Sequence, residues 1–375
     1  MEKTQLSAYA DSKKHYEILD GLRGVAAIVV VFFHLCEAHA TSHLDQVINH
    51  GYLAVDFFYL LSGFVIAYAY DDRWSQMSLK NFFTRRLIRL HPMIVLGMIV
   101  GAVAFYFQAG SLWPKIATTP VWELLLVMVI GFTLLPLPLS MDIRGWFEMH
   151  PLNGPAWSLF FEYIANILYA LFLRKISNTV LAVLVFITGT LLIHLAVTAP
   201  GGDVIGGWAL EPGQLRIGFT RMLYPFLAGL LLFRVAKLTT IRNAFLLSSL
   251  MVVIVLAIPR IGGSEHLWAN GLYDSLSIIL LFPLIVYIGA SGEVKGKFAT
   301  WLCRFLGDIS YPIYITHYPL IYTYTAWVYE HKYSMAEAAP VALLVFLSAV
   351  ALAYGSLKLY DVPVRQWLSR RFLKG

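Results

Sequence analysis

The chain has 375 residues, of which 59% are hydrophobic and only 13% are charged, and its mean hydropathy is +0.69. A charged fraction about half that of an ordinary soluble domain excludes a soluble globular protein. The net charge of +6 lies in short clusters between long apolar runs, which indicates a membrane surface or a phosphorylated ligand and not nucleic acid. Cys36 and Cys303 fall in separate apolar stretches and provide neither a disulfide framework nor a zinc motif.

Apolar runs close to the roughly 20 residues that cross a bilayer recur along the whole chain. In chain order they cover residues 22–38, 52–70, 91–108, 121–138, 156–173, 179–198, 217–235, 243–259, 271–290, 305–328 and 338–358. The first run follows a polar stretch and has no small-residue cleavage site, so we interpret it as a retained span.

Lys and Arg are concentrated in alternate loops, and cytoplasmic loops carry the excess of these residues. Placing the basic loops in the cytoplasm requires the stretch 109–155 to begin and end outside. We therefore assign the run at 121–138, which contains Glu123, to an interfacial or re-entrant segment. The prediction is an all-α membrane helix bundle of about ten transmembrane helices with both termini cytoplasmic. We expect residues 1–375 to form one domain with its core at 19–360 and no separate soluble domain.

Ionisable residues within apolar spans are functional candidates, because a purely structural bundle does not need them. Arg23 and His34 are eleven residues apart on the first span, which places them on one helix face about 16 Å apart. The alternative is that Arg23 only anchors the span at the inner surface and His34 only hydrogen-bonds a neighbouring helix. Their shared face favours a ligand.

Two further segments carry charge near the membrane. Asp56 is buried near the outer end of the second span, where nearby glycine and serine are typical of close helix packing. The basic, amphipathic segment 81–92 is typical of a helix on an anionic leaflet, and from this segment alone that interpretation is favoured. The alternative is a phosphate clamp, because Arg86 and Arg89 are spaced i, i+3 and point the same way.

Two polar stripes lie deeper in the predicted bundle. Ser158, Glu162 and Tyr169 share one helix face beside Trp157, which is also typical of an interfacial aromatic residue. The second stripe falls within about 60° of arc and consists of Ser310, Tyr314 and His317. The predicted topology brings His34, His317 and Glu162 to one level, above a basic inner mouth formed by Arg23, Arg86 and Arg89.

Together these motifs resemble the acyltransferase 3 family of integral membrane O-acyltransferases, from about Leu19 to Tyr360. The resemblance rests on five short motifs in order: Asp-Gly-Leu-Arg-Gly followed by His34, the run from Asp56 to Phe64, Arg86-x-x-Arg89 before His-Pro, Trp157-Ser-Leu-x-x-Glu162, and Ser310-Tyr-x-x-Tyr314-x-x-His317.

The resemblance implies transfer of an acyl group, usually acetyl, from acyl-CoA to a sugar hydroxyl of an O-antigen, exopolysaccharide, glucan, lipo-oligosaccharide or macrolide. It implies catalytic roles for Arg23 and His34, with donor-side roles for Arg86 and Arg89. It also implies functional roles for Trp157, Glu162, Ser310, Tyr314 and His317, and we expect no metal. The cellular location we expect is a bacterial inner membrane.

For the chemistry, a neutral histidine suits proton removal from an alcohol, and His34 is our first choice. We expect Glu162 to orient it, Tyr314 or His317 to donate to the thioester oxygen, and Asp56 with Trp157 to bind the acceptor. Direct transfer and an acyl-histidine intermediate both stay open, as does a homo-oligomer. The rival function is a proton-coupled transporter or flippase of a lipid-linked sugar, although we find no paired halves typical of transporters.

Overall fold

The computed structural model describes residues 15–373, and within that range its regular elements are all helical. The predicted all-α membrane class is confirmed. The α-helices of this range are α1 (Glu17–Glu37), α2 (Ala54–Tyr70), α3 (Leu79–Tyr106), α4 (Pro114–Thr118), α5 (Val121–Phe132), α6 (Ala156–Leu171), α7 (Asn178–Thr198), α8 (Pro212–Val235), α9 (Ala244–Ala257), α10 (Leu267–Leu276), α11 (Phe282–Ala290), α12 (Lys297–Thr316), α13 (Tyr318–His331), α14 (Met335–Ser356) and α15 (Val362–Phe372).

Eight helical stretches in the described range are long and apolar enough to cross a membrane. They are Glu17–Glu37, Gly51–Tyr70, Leu79–Tyr106, Ala156–Lys175, Asn178–Thr198, Pro212–Val235, Leu267–Ala290 and Met335–Phe372. The last two stretches each contain a π-helical turn, at Ser277–Leu281 and at Leu357–Asp361. The chain is therefore an integral membrane protein.

Three predicted runs take a different form. The run at 121–138 yields only the 12-residue helix α5, about 18 Å long and too short to cross a 30 Å hydrocarbon core alone. The run at 243–259 yields the 14-residue helix α9. The run at 305–328 is divided at His317 into α12 and α13.

The division at His317 follows from Pro319, the second residue of α13. Proline has no backbone N–H, so it cannot bond the carbonyl four residues earlier, which belongs to Ile315. That carbonyl accepts instead from the side-chain amide of Asn153 at 2.7 Å. The freed backbone group is therefore satisfied, and the break leaves His317 at a bend inside the bundle.

The amphipathic segment 81–92 is not a separate surface helix. It forms the first half of α3, which begins after a Ser78 cap that accepts from the Asn81 N–H and continues through Pro92 to Tyr106. The expectation of a helix lying flat on the inner leaflet is therefore wrong. Continuity with a membrane span carries Arg86 and Arg89 into the bundle.

The basic loops cluster at one end of the bundle. Arg234 at the end of α8 binds Asp71 after α2, with Nε to Oδ2 at 2.7 Å. Arg304 on α12 binds Glu17 at the start of α1, with Nη2 to Oε1 at 2.8 Å. We call this the basic end.

The loops poor in Lys and Arg meet at the opposite end. The ring of His50 bonds the Ile258 carbonyl (2.8 Å), and the Met149 N–H donates to the Trp208 carbonyl (2.7 Å). The two groups of loops are thus segregated as the charge pattern predicts. Which compartment each end faces stays a prediction.

Close helix crossings depend on glycines. A Cβ at Gly24 on α1 would collide with the backbone of Leu306 on α12, and a Cβ at Gly63 on α2 would collide with the Phe226 carbonyl on α8. Gly229 on α8 meets the backbone of Leu60 in the same way. Small residues that let backbones approach are the usual basis of helix packing in membranes. These crossings fix α1 against α12 and α2 against α8, the frame that holds the site.

Candidate active site

A cavity of about 330 Å³ opens at the basic end and extends inward between α1, α2, α3, α6 and α12. We call it the arginine cavity. The residues predicted from the sequence that line it are Arg23, Arg86, Arg89, Glu162, Ser310 and Tyr314. Arg304 and Arg365 also line it, so five guanidinium groups from four helices meet around one space.

Most charges of the cavity wall are paired with a neighbour. Arg86 donates from Nη2 to Glu162 Oε1 at 2.8 Å, and the same oxygen accepts from the Ser62 hydroxyl at 2.6 Å. Arg23 donates to Asp20 at 3.0 Å. Such partly buried, hydrogen-bonded pairs hold their side chains in defined positions.

Arg89 differs from the other arginines of the wall. Within residues 15–373 its guanidinium has no ion pair or hydrogen bond, and the residue is exposed and lines the cavity. It lies close enough to Arg23 and Arg86 for the three charges to repel one another. The Nε of Arg86 is also buried without a partner. Unpaired donors grouped in a cavity are suited to an anion with several oxygens, such as a phosphate.

The inner end of the cavity is closed by hydroxyl groups. The Ser158 hydroxyl donates to the Pro155 carbonyl at 2.9 Å, so it accepts from the Tyr314 hydroxyl at 2.7 Å. Ser310 donates to the Gly307 carbonyl at 2.7 Å. The Tyr314 proton is therefore occupied, and this hydroxyl does not present a free donor to a thioester oxygen as the sequence analysis expected.

Beyond Tyr314, away from the arginine cavity, lie the rings of two histidines. The ring centroid of His317 lies 6.2 Å from that of Tyr314 and 5.6 Å from that of His34. His317 is fully buried, and its Nε2 has no partner. Its Nδ1 lies 2.9 Å from two backbone carbonyls, so the proton sits on Nδ1 and Nε2 is an acceptor. In this tautomer Nε2 of His317 has no proton to donate to a thioester oxygen.

His34 has a different partner from the expected one. Its Nδ1 lies 2.6 Å from Glu37 Oε2, one turn further along α1. Glu162, the expected partner, binds Arg86 and Ser62 at the cavity, so the expected Glu162–His34 pairing is wrong. The physical reason is the i, i+3 spacing on α1, which brings Glu37 to His34 without any tertiary contact. Donation from Nδ1 to the Glu37 carboxylate leaves Nε2 as the basic nitrogen.

The two remaining predicted residues lie away from the cavity wall. Asp56 is fully buried and binds Arg221, with Oδ2 to Nη2 at 2.6 Å. Trp157 packs against the same guanidinium, whose carbon lies 5.4 Å from the ring centroid. Neither lines the arginine cavity. The carboxylate that was expected to bind the acceptor is instead paired with Arg221.

Three residues that the sequence analysis did not single out are important to this geometry: Glu37, Arg221 and Glu148. Glu37 follows His34 at helical spacing, and Arg221 is a charge within an apolar span, so both had a readable signal. Glu148 lies in the irregular segment after α5, and no periodic pattern marks it.

At the opposite end, Glu148 lies beneath a group of aromatic rings. Tyr322 donates its hydroxyl to Glu148 Oε2 at 2.5 Å, and burial raises the pKa of the carboxyl to about 7. The ring of Tyr322 contacts Trp113 and Trp146, with centroids 5.5 and 6.1 Å away. Trp146 is 38% exposed, so the group is open to solvent on one side. Tyr318, which stacks edge-on against His34 at 4.7 Å and against Tyr322 at 4.5 Å, connects it to the histidines.

Within the described range, no group of three or more His, Cys, Asp and Glu side chains is arranged to hold a metal ion. The ionisable groups near the histidines are instead bound in pairs, as the contacts of Glu37 and Glu148 illustrate.

Comparison of the sequence with known proteins identifies the family of this chain. The sequence model of the family described as "Acyltransferase domain" matches residues 16–357. Over 168 residues, 42% of this chain, the sequence is 34% identical to Protein 2 in picA locus of Rhizobium radiobacter, of which it covers 82%. Over 371 residues, 95% of this chain, it is 22% identical to the O-acetyltransferase OatA of Staphylococcus aureus.

The chain covers 58% of the length of OatA, less than two thirds of that protein. No solved structure matches the chain.

Proposed function

Because the chain belongs to the acyltransferase 3 family, we propose that it is a membrane O-acetyltransferase that moves an acetyl group from acetyl-CoA to a hydroxyl of a carbohydrate. The observation that supports this most strongly is a continuous row of side chains, which we call the path. The arginine cavity opens at the basic end, and the rings of Tyr314, His317 and His34 continue from its inner end toward the opposite end.

The donor would enter from the basic end. CoA carries its phosphates at one end and its thioester at the end of a flexible arm. Phosphate oxygens would bind Arg23, Arg86 and Arg89. The guanidinium of Arg89 would gain the most hydrogen bonds, because it has no partner among the described residues. The arm would then carry the thioester inward past Tyr314. Ser310 would contact this arm from the cavity wall.

The acceptor would enter from the opposite end. The side chains of His34 and Glu37 are 16% and 34% exposed, so this pair is accessible although His317 behind it is buried. Aromatic rings with a nearby carboxyl suit a sugar, whose C–H face packs on a ring while its hydroxyls donate to oxygen. Trp146 provides the exposed ring, and its buried neighbour Tyr322 binds the carboxyl of Glu148.

In the reaction, Nε2 of His34 would take the proton of the acceptor hydroxyl as its oxygen attacks the thioester carbon. The new carbon–oxygen bond forms the ester, the carbon–sulfur bond breaks, and CoA leaves as a thiolate. The imidazolium of His34, stabilised by Glu37, then returns the proton to the sulfur. Atoms and charge balance without a metal or a redox partner. Attack by Nε2 itself would give an acyl-histidine, and rapid-quench trapping distinguishes the two routes.

The test uses purified full-length protein in nanodiscs with acetyl-CoA and a panel of oligosaccharides, including the surface glycans of the source cells. We expect CoA release that depends on the acceptor, together with an added acetyl group detected by mass spectrometry. Absence of transfer with every acceptor, combined with movement of a lipid-linked sugar across the bilayer, would overturn the proposal in favour of a flippase.

Membrane orientation forms the second part of the proposal: the basic end and both termini face the cytoplasm of a bacterial inner membrane. Thr240 at the basic end and Phe147 at the opposite end are both exposed. Each is replaced singly, as Thr240→Cys or Phe147→Cys, in a protein that lacks Cys36 and Cys303. An impermeant thiol reagent added to intact spheroplasts should label position 147 only. Labelling of position 240 alone would reverse the orientation and the sides from which donor and acceptor enter.

A further inference from the structure

A second depression of about 640 Å³ lies at the basic end beside the arginine cavity, between α12 and the α14 segment. Arg304 and Asp308 line both spaces, so the depression continues the mouth of the cavity. We call it the α12–α14 groove. The path proposed above does not use it.

Aromatic rings form one side of the groove. Trp301 and Phe305 are stacked nearly parallel, with centroids 5.5 Å apart and an angle of 11°. Phe305 also contacts Tyr354 on α14 at 6.2 Å. Trp301 is 57% exposed and Tyr354 is 46% exposed, so flat ring faces are available to a ligand. Aromatic platforms of this kind bind the flat face of a nucleic acid base.

Charged groups surround these rings. Lys297, Arg304 and Lys358 are the cations of the groove, and Asp308 is its carboxylate. Arg304 is paired with Glu17, but within residues 15–373 neither lysine has an ion-pair partner. The Lys358 amine lies 5.5 Å from the ring centroid of Tyr354, which brings a free cation beside the aromatic side. Aromatic belt residues of a membrane surface account for the rings but not for a concave group of cations continuous with a cavity.

We propose that the α12–α14 groove binds the adenosine 3′-phosphate end of the acyl-CoA donor. Adenine stacks on the exposed ring of Trp301, which packs on Phe305, and Lys297 and Lys358 hold the 3′-phosphate. Asp308 accepts a hydrogen bond from the exocyclic amine of adenine. Arg304, which lines both spaces, directs the diphosphate into the arginine cavity. The inference rests on the proposed function, because it takes acyl-CoA as the donor.

The experiment compares three donors with the purified enzyme: acetyl-CoA, acetyl-dephospho-CoA without the 3′-phosphate, and S-acetyl-pantetheine without the nucleotide. Trp301→Ala should raise KM for acetyl-CoA roughly 10- to 100-fold, as expected for loss of base stacking, without changing kcat. KM for S-acetyl-pantetheine should not change. Lys358→Ala should reduce the preference for acetyl-CoA over acetyl-dephospho-CoA.

Trp367→Ala is the matched control. Trp367 is 56% exposed and lies beside Arg371, with the guanidinium carbon 5.6 Å from the ring centroid, but it lines neither space. This variant should change no donor constant. An unchanged KM for acetyl-CoA in Trp301→Ala, or an equal loss with S-acetyl-pantetheine, would overturn the assignment of the groove. Wild-type enzyme that uses none of the three donors would instead overturn the proposed function itself.

Discussion

Two regions of this bundle contain arginines beside carboxylates, and they differ in how completely their hydrogen bonds are satisfied. Arg221 donates from Nε and Nη2 to Asp56, from Nη2 to the Tyr52 carbonyl at 2.7 Å, and from Nη1 to the Gly206 carbonyl at 3.3 Å. Each of its three nitrogens therefore has a partner. This region stabilises the crossing of α2 and α8 and has no capacity for a ligand.

The path from the arginine cavity to His34 is the opposite case. Arg89 has no partner among the described residues, and both Arg86 Nε and His317 Nε2 are buried without one. Buried polar groups cost free energy when they are unpaired, so a protein retains them where something else completes them. Between these two regions, unsatisfied donors and acceptors, and not charge alone, distinguish the candidate reaction path from the structural ion pair.

The largest effect should come from the accessible end of that path. We expect His34→Ala to lower turnover by about 10² to 10⁴, because general base catalysis contributes that much, while KM for acetyl-CoA changes little. The measurement is the rate of acetyl transfer with protein amount and folding checked. His317→Ala is the companion variant. If His34→Ala keeps wild-type turnover and His317→Ala loses it, His317 is the general base.

The satisfied region should respond through stability. Asp56→Ala leaves the Arg221 guanidinium buried without a counter-charge, which costs about 3 to 5 kcal/mol. We expect a large fall in thermal stability in detergent, or loss of the folded protein. Glu265→Ala, an exposed carboxylate at the opposite end, is the control and should have little effect. A stable Asp56→Ala protein with a weakened affinity for acceptor would instead restore the substrate-binding role predicted from the sequence.

These two regions also show how far the sequence could predict the site. The helical class, the segregated loops, and the meeting of Arg23, Arg86 and Arg89 follow from hydropathy, loop charge and helical spacing. The sequence could not assign Asp56 and Glu162 to different regions, because both are carboxylates in apolar helices. Their difference depends on the tertiary contacts with Arg221 and Arg86.

The sequence could not predict the helix break at His317 either. Pro319 signals a helix start or a kink, but the side-chain amide that satisfies the Ile315 carbonyl comes from Asn153, more than 150 residues earlier. Glu148 likewise gains its environment only through a fold that brings Tyr322 to an irregular segment. Long-range polar contacts of this kind leave no periodic signal.

Glu148 gives a pH-dependent test at the opposite end. Its pKa rises from 4.5 to about 7, so folding favours the neutral form. The contribution to stability is complete below pH 4.5 and is lost as the pH rises to about 7, a difference of roughly 3 kcal/mol. Glu148→Gln should flatten the dependence of the unfolding temperature on pH in this window. An unchanged slope would show that the carboxyl is ionised at neutral pH.

Arg89 tests whether an unpartnered donor marks a ligand site. We expect Arg89→Ala to weaken donor binding by about 1.5 to 3 kcal/mol, the worth of a charge-assisted hydrogen bond, without loss of stability. Lysine at this position should restore binding only in part if the phosphate contact is bidentate. Arg85→Ala is the control, since Arg85 is exposed on the same helix outside the cavity. If all three variants bind the donor with equal affinity, Arg89 does not bind phosphate.

The smallest effect should come from the partner that holds the base. Glu37→Gln keeps the size of the side chain and its acceptor oxygen but removes the charge that stabilises the imidazolium of His34. We expect turnover to fall roughly tenfold, less than in His34→Ala because the histidine remains, with no change in KM for acetyl-CoA. The acid limb of the turnover–pH profile should move to lower pH, because the protonated ring loses its counter-charge.

Glu162→Gln is the matched comparison, since Glu162 binds Arg86 at the cavity and not His34. It should raise KM for acetyl-CoA and leave the acid limb in place. If Glu162→Gln moves the acid limb and Glu37→Gln does not, the histidine pairs with Glu162 during turnover, and the path must rearrange when the donor binds. If Glu37 only supports the end of the helix, Glu37→Gln should lower stability without moving the profile. The position of the acid limb therefore shows whether Glu37 orients the base.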